Sequence, residues 1–308
     1  MSIAVWLWIP ITLAAAFSQT LRNAAQRHIS GAAGLLPATF VRFAFGLPFA
    51  VLWLLFVTRV LGMALPPVSW TFLGWVAIGA FGQLFATALL LAAMGKKAFV
   101  VAVAYSKTEV LQIVVLSAVL ISERVTGTSL TGILIASVGI FLLSVTPKAA
   151  GGSPEERRAQ IAGVLLGLAS GTLFAASTVG YRAGSLHLNA GAPLSPLMAG
   201  AFGLVWAQSM QSVALGAWLA WRQPQSLLAV ARTWKLSLAT GFAGALASAC
   251  WLTAFAMHNV ADVRALGMIE IVFAHFISHG VFRERLKGRE LAGIALLLSG
   301  LVLLCLAM

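Results

Sequence analysis

Charge is scarce in this chain, and acid is scarcer still. Of 308 residues 9% are charged, with only 8 Asp and Glu against 20 Lys and Arg. A soluble domain carries roughly a quarter charged residues, so a soluble enzyme is excluded. A disordered tail is excluded too, because it needs low hydrophobicity and high charge. Cysteine is nearly absent. Cys250 and Cys305 each sit inside an apolar run, too few and too isolated for a disulfide-knit scaffold or a thiolate metal site. There is also no positive charge ahead of the first apolar stretch, MSIAVWLWIPITLAAAFSQ, and the first arginine is Arg22. A secretory signal needs that charge in front. The segment is therefore expected to stay as a first helix, with its start outside the cytoplasm.

What is present is apolar: 60% of the residues are hydrophobic and the mean hydropathy is +0.97. Apolar runs bounded by Gly, Pro or charge fall at 3–21, 36–57, 70–93, 99–121, 129–146, 160–180, 196–221, 236–257, 263–282 and 290–308. A crossing takes about 20 residues, and these runs are continuous rather than alternating, so they predict helices and not barrel strands. The expected fold is an all-α integral membrane protein of ten transmembrane helices. One polar stretch, TPKAAGGSPEERRAQ, interrupts the pattern near the middle. It predicts a first repeat over 1–147, a linker over 148–159 and a second repeat over 160–308.

The halves align without a gap at an offset of 161, which carries Glu109 onto Glu270. YSKTEVLQIVVLSAVLISERVTGTSLTGILIASVG lies over LGMIEIVFAHFISHGVFRERLKGRELAGIALLLSG, matching Glu123 with Glu284, Arg124 with Arg285, Gly132 with Gly293 and Gly139 with Gly300. Charged residues in register are rare among apolar helices. Five spans separate the copies, an odd number, so the repeats are expected to be inverted across the membrane. Loop charge agrees. Arg22, Arg27, Lys96, Lys97, Lys148, Arg157, Arg158, Arg222, Arg232, Lys235, Arg283, Arg285, Lys287 and Arg289 fall in odd-numbered loops, against Arg59, Arg124, Arg182 and Arg264 in even-numbered ones. Cytoplasmic loops gather Lys and Arg, which places both termini outside.

At these residues the chain resembles the drug/metabolite transporter superfamily, and within it the ten-helix bacterial EamA-type proteins. That group typically has an acidic-Pro pair, an apolar run and then Gly-Glu-Arg at the fourth helix of each repeat. Here the segments read TEVLQIVVLSAVLISER and IEIVFAHFISHGVFRER, so Glu109, Glu123, Glu270 and Glu284 fall on the acidic positions. The proline positions hold Val110 and Ile271, so helices without a kink are expected. Members of the group are usually described with cytoplasmic termini, opposite to what the loop charges indicate. The resemblance implies a bacterial inner-membrane secondary transporter, or permease, with alternating access, moving a small metabolite or drug outward by efflux. The partners expected are that small molecule and the lipid bilayer, with no nucleic acid, no cofactor and no resident metal; oligomeric state is left open.

Charged groups inside a span cost about 2.5–3.5 kcal/mol at the helix centre on insertion scales, so each needs a reason. Glu109 falls near mid-helix, with Tyr105 and Gln112 on its face. It is the candidate proton-coupling or substrate-contacting carboxylate, the alternative being a structural ion pair with Arg42 or with Lys107 of a second subunit. Lys107 points to the opposite side of the same helix. Glu270 is the repeat-related position on a greasier face, with a helix-packing role as its alternative. Arg42 is a partner for Glu109 or for a carboxylate or phosphate on the substrate, or else snorkels to the interface. Trp251 is placed to stack on a substrate ring, with core packing as the default. Gln19, Arg22 and Asn23 cluster at the end of the first helix as gate or rim residues. Glu123 and Glu284, each beside an arginine, read as loop-fixing salt bridges. His275 and His279 at i, i+4 have the spacing of metal ligands but lack a third ligand on that face. With Glu270 they define the rival reading, an intramembrane enzyme; a lipid-moving protein is the other. Trp6, Trp8, Trp70, Trp221 and Trp234 read as an interfacial belt.

Overall fold

A computed structural model describes residues 6–94, 105–144, 154–189, 194–273 and 288–307, and all of their regular structure is helical. The helices are α1 (Trp8–Ala33), α2 (Leu35–Ala44), α3 (Leu47–Leu55), α4 (Trp70–Met94), α5 (Glu109–Leu120), α6 (Gly127–Ser144), α7 (Pro154–Asn189), α8 (Pro196–Arg222), α9 (Pro224–Arg232), α10 (Trp234–Met257), α11 (Val260–Leu266) and α12 (Gly288–Leu306). A π-helical turn, Phe56–Val60, extends α3, and a 3-10 turn, Gly267–Ile269, follows α11. Four described segments are long and apolar enough to cross a bilayer: Leu36–Val60, Trp70–Leu90, Arg157–Asn189 and Trp234–Met257.

Several boundaries differ from those read in the sequence. Helix α1 runs on to Ala33, so Arg22 and Asn23 lie inside it rather than at its end. Polar residues are tolerated there because a helix satisfies its own backbone; only the apolar run stops at 21, not the helix. Residues 154–159 of the expected linker are helical, with Pro154 opening α7, as suits a residue that has no N–H to satisfy in a first turn. Helix α9 falls in the gap left between two spans. Its Val230 packs on Ala38 and Val41 of α2, and at 9 residues it is too short to show in a search for spans.

The chain forms two compact units, each drawn from both halves of the sequence. The first unit comprises Met1–Phe81 and Gly180–His258, and the second Gly82–Val179 and Asn259–Met308. In the first, the α2–α3 joint meets α10 backbone to backbone. A Cβ on Gly241 would stand 2.5 Å from the carbonyl carbon of Phe45, and one on Gly46 would stand 3.1 Å from Gly241 O. In the second unit, α6 and α12 press glycine on glycine. A Cβ on Gly132 would lie 2.7 Å from Gly300 O, and one on Gly139 would lie 2.7 Å from Gly293 O. Contacts in that order mean that the two helices run antiparallel. Where lipid supplies no hydrophobic drive between helices, such small-residue contact is what holds them.

Trp70, Trp221 and Trp234 are exposed near helix ends, and Arg222 and Lys235 stand over the Trp221 and Trp234 rings. That suits an interfacial belt. Trp8 does not belong to it: the ring is buried and stacks on His258 at 4.4 Å.

Candidate functional site

The second unit holds a four-charge cluster in which Glu109 is buried and the other three groups are partly buried. Arg264 Nη2 donates to Glu109 Oε1, and Lys107 Nζ donates to Glu270 Oε1. Each cation is also attracted by the other pair's carboxylate. The side chain of Glu109 is only 6% exposed and that of Arg264 15%. Four formal charges sum to zero, which makes their burial affordable, since an unpaired buried ion costs several kcal/mol.

The backbone explains how the carboxylates are aimed. Both helices are interrupted just before the acid, although neither has the proline of the resembling group. The Thr108 N–H bonds to Tyr105 O at 3.1 Å, the tighter i to i+3 pattern of a 3-10 turn. Thr108 Oγ1 takes the same carbonyl at 2.7 Å, so the side chain competes with the regular helix ladder. Glu109 then opens α5. In the other half the 3-10 turn Gly267–Ile269 precedes Glu270, and the chain is helical again over 270–273. The expectation of unkinked helices is therefore corrected at both positions.

The tightened turn also breaks up the expected polar stripe. Tyr105 packs edge-on against Phe141 with centroids 6.1 Å apart, and Gln112 Nε2 donates to Thr108 Oγ1 at 3.1 Å. Among the described residues neither hydrogen-bonds to the Glu109 carboxylate. Gly171 of α7 makes room for this turn, since a Cβ there would stand 3.0 Å from Ser106 O.

Two partners escaped the sequence reading. Lys107 was read as facing away from Glu109 on its own helix, or as pairing with Glu109 of a second subunit, and it pairs with Glu270 of the same chain instead. Arg264 was assigned to a loop, whereas it lies in α11. A cation a few residues ahead of each intramembrane acid, within the same apolar stretch, was the available signal. Glu123 was read as a salt bridge to arginine; its Oε2 accepts the Val260 N–H at 3.3 Å. The start of α11 is further fixed by Asn259, whose Oδ1 accepts the Ala261 N–H at 2.9 Å and whose Nδ2 donates to Arg124 O at 3.3 Å. Glu284, His275 and His279 lie outside the described residues. Among the described residues no group of three His, Cys, Asp or Glu could hold a metal ion.

Arg42 and Trp251 belong to the first unit, as do Gln19, Arg22 and Asn23. Trp251 is buried, stacks on Phe255 at 5.7 Å and donates from Nε1 to Gln19 Oε1 at 3.0 Å. Arg22 Nη2 donates to Asn23 Oδ1 at 2.7 Å. Arg42 is buried in the last turn of α2, with its guanidinium 5.0 Å from the Phe43 ring centroid. Its Nε has no hydrogen-bond partner among the described residues. Gln211 Nε2 donates to Ala80 O at 3.0 Å and to Tyr181 Oη at 3.4 Å. Arg182 Nη1 caps α10 by donating to Phe255 O at 2.6 Å and Ala256 O at 3.1 Å. An apolar pocket of about 480 Å³ opens beside these helices, lined by Ile11, Phe49, Trp53, Leu204, Ala245 and Thr253 among others.

Helices able to cross a bilayer, together with charge neutralised inside the protein, define a multi-pass helical membrane protein. Residues 161–306 match the model of the EamA-like transporter family, a family of membrane transporters within the drug/metabolite transporter superfamily, so this stretch is similar to its members. Solved structures agree on the fold. One of 24 matching chains, titled only as a crystal structure of a protein, is similar with a TM-score of 0.72 over 99% of this chain and 96% of that one, at 18% identity. The comparison with curated proteins finds no match.

Proposed function

We propose that the chain is a secondary transporter that moves a small organic metabolite or drug outward by alternating access. Its ten transmembrane helices form two inverted five-helix repeats, 1–147 and 160–308, joined by 148–159 and set in a bacterial inner membrane with both termini outside. The antiparallel contact of α6 with α12 supports the repeat. At the offset of 161, Gly132 corresponds to Gly293 and Gly139 to Gly300. The contacts are crossed, Gly132 on Gly300 and Gly139 on Gly293, as a two-fold between the copies requires.

One observation carries the functional reading: the crossed ion pairs Glu109–Arg264 and Lys107–Glu270. Each joins a residue of the first repeat to one of the second, and the two carboxylates are repeat equivalents. A proton on Glu109 removes its charge and releases Arg264, leaving a net positive cluster that favours a different arrangement. Glu109 is thus the coupling group and Glu270 its counterpart, with Tyr105 and Gln112 shaping the turn that aims Glu109. Trp251 stacks on the solute, and Gln19, Arg22 and Asn23 form a gate or rim.

The test is pH-dependent flux in proteoliposomes with Glu109→Gln. Transport is expected to persist at a reduced rate but to lose its pH dependence, with the elution profile of the purified protein unchanged. Wild-type pH dependence in that variant removes Glu109 from coupling.

A further inference from the structure

We infer that the first unit holds an anion-binding subsite, built around Arg42 with Arg22 beside it, which takes the carboxylate or phosphate of a transported solute. The inference rests on the transporter reading above and narrows its substrate class to small oxyanions.

The argument begins with charge. All eight acidic residues, Glu109, Glu123, Glu155, Glu156, Asp262, Glu270, Glu284 and Glu290, lie in the second unit, and the first has none. Yet Arg22 and Arg42 are both more than nine-tenths buried. They are neighbours: a Cβ on Gly244 would stand 3.3 Å from Arg42 Cγ and 3.4 Å from Arg22 Cδ. Glycine at that position leaves the room that two arginine stems need. Arg42 Nε is a buried donor with no acceptor among the described residues. The buried Gln208 amide is also close by: a Cβ on Gly46 would stand 2.6 Å from Arg42 O and 3.1 Å from Gln208 Nε2, and Gln208 Oε1 has no hydrogen-bond partner among the described residues.

The protein offers partial compensation. Arg42 sits at the C-terminus of α2, where the helix presents about half an elementary negative charge, and the Phe43 face adds a weaker attraction. Half a charge does not balance the Arg42 guanidinium. A guanidinium fork matches carboxylate and phosphate oxygens geometrically, so an oxyanion completes the balance.

The test is thermal unfolding of the detergent-purified full chain in an anion-poor buffer with succinate, inorganic phosphate and, as neutral control, dimethyl succinate. Succinate or phosphate is expected to raise the melting temperature and the diester to leave it unmoved. In Arg42→Gln the apparent affinity is expected to fall by about tenfold or more, the loss of one charge-assisted hydrogen bond. Arg42→Lys, which keeps the charge and loses the fork, is expected to fall between, and serves alone if the glutamine variant does not fold. No response of the wild type to either anion, or an equal response in the variants, overturns the subsite. A response to dispersed phosphatidylglycerol alone, lost in Arg42→Gln, makes the anion a lipid headgroup and overturns the solute assignment. Flux in proteoliposomes separates the two readings. Succinate bound at Arg42 but never moved sinks transport and keeps the subsite, whereas flux of a neutral solute without any anion response does the reverse.

Discussion

The two units solve the same problem, a guanidinium inside a membrane protein, in different ways. In the second unit the partly buried Arg264 pairs with the buried Glu109, and Lys107 pairs with Glu270, so that the charges cancel within the unit. In the first unit Arg42 is buried where no carboxylate exists in the unit. Burial by itself therefore does not say what a charge is for. A neutral cluster holds its elements in register and responds when a proton unbalances it. An unbalanced one stores an attraction that only a ligand satisfies.

The largest expected effect tests the neutral cluster. Arg264→Met leaves Glu109 buried without its cation, and breaking a buried pair this way costs about 3–5 kcal/mol. Adding Glu109→Gln is expected to recover most of that loss, because the stranded charge is gone. A double-mutant cycle on thermal unfolding in detergent measures both. Equal destabilisation of the single and double variants would show that Arg264 acts by packing and not by pairing.

The sharper test is one of sign. Arg42→Met removes an uncompensated buried charge, so without an added anion it is expected to stabilise the protein. The gain is about 2 kcal/mol, the desolvation cost of the ion less what the α2 C-terminus and Phe43 return. The same substitution chemistry at Arg264 destabilises. If both methionine variants lose stability alike, the contrast between the units fails.

Much of this contrast was hidden in the sequence for a physical reason. Spans are legible because about 20 apolar residues are a local property, and α4, α6, α8, α10 and α12 start and end within two residues of those runs. Glu109 and Glu270 stood out for the same reason, being rare charges in apolar stretches. Their partners did not, because pairing is long-range: Arg264 lies 155 positions from Glu109 and Lys107 lies 163 from Glu270. A helical wheel reports only neighbours on one helix. It therefore grouped Tyr105 and Gln112 with Glu109, whereas the tight turn at Thr108 sends each to a different contact. The extension of α1 to Ala33 was hidden by polar residues that end a hydropathy run without ending a helix.

Packing offers a test that leaves charge alone. Gly300→Ala in α12 puts a Cβ 2.5 Å from the Ala136 backbone nitrogen, while Gly74→Ala in α4 meets nothing within 4 Å. The first is expected to cost about 1–3 kcal/mol through overpacking, because backbone cannot rotate away as a side chain can. The second is expected to gain up to about 1 kcal/mol from alanine's better helix propensity. Unfolding curves of the two variants check the pair. A tolerated Gly300→Ala would mean that α6 and α12 separate readily, and the neutral cluster would then lose its rigid frame.

The smallest effect concerns what holds Arg264 in place. Helix α11 has only 7 residues, too few to be stable alone, so its start depends on outside contacts. Asn259 caps it through the Ala261 N–H, and Glu123 accepts the Val260 N–H. Asn259→Ala removes the cap and the bond to Arg124 O, an expected loss of about 1 kcal/mol. If the cap matters because it positions Arg264, the loss should be smaller in an Arg264→Met background, where there is no ion pair left to misplace. Equal losses in both backgrounds would mean that α11 is held for its own sake. The ion pair would then ride on a helix that forms without regard to it, and the four-charge cluster would be a consequence of the fold and not one of the things that fixes it.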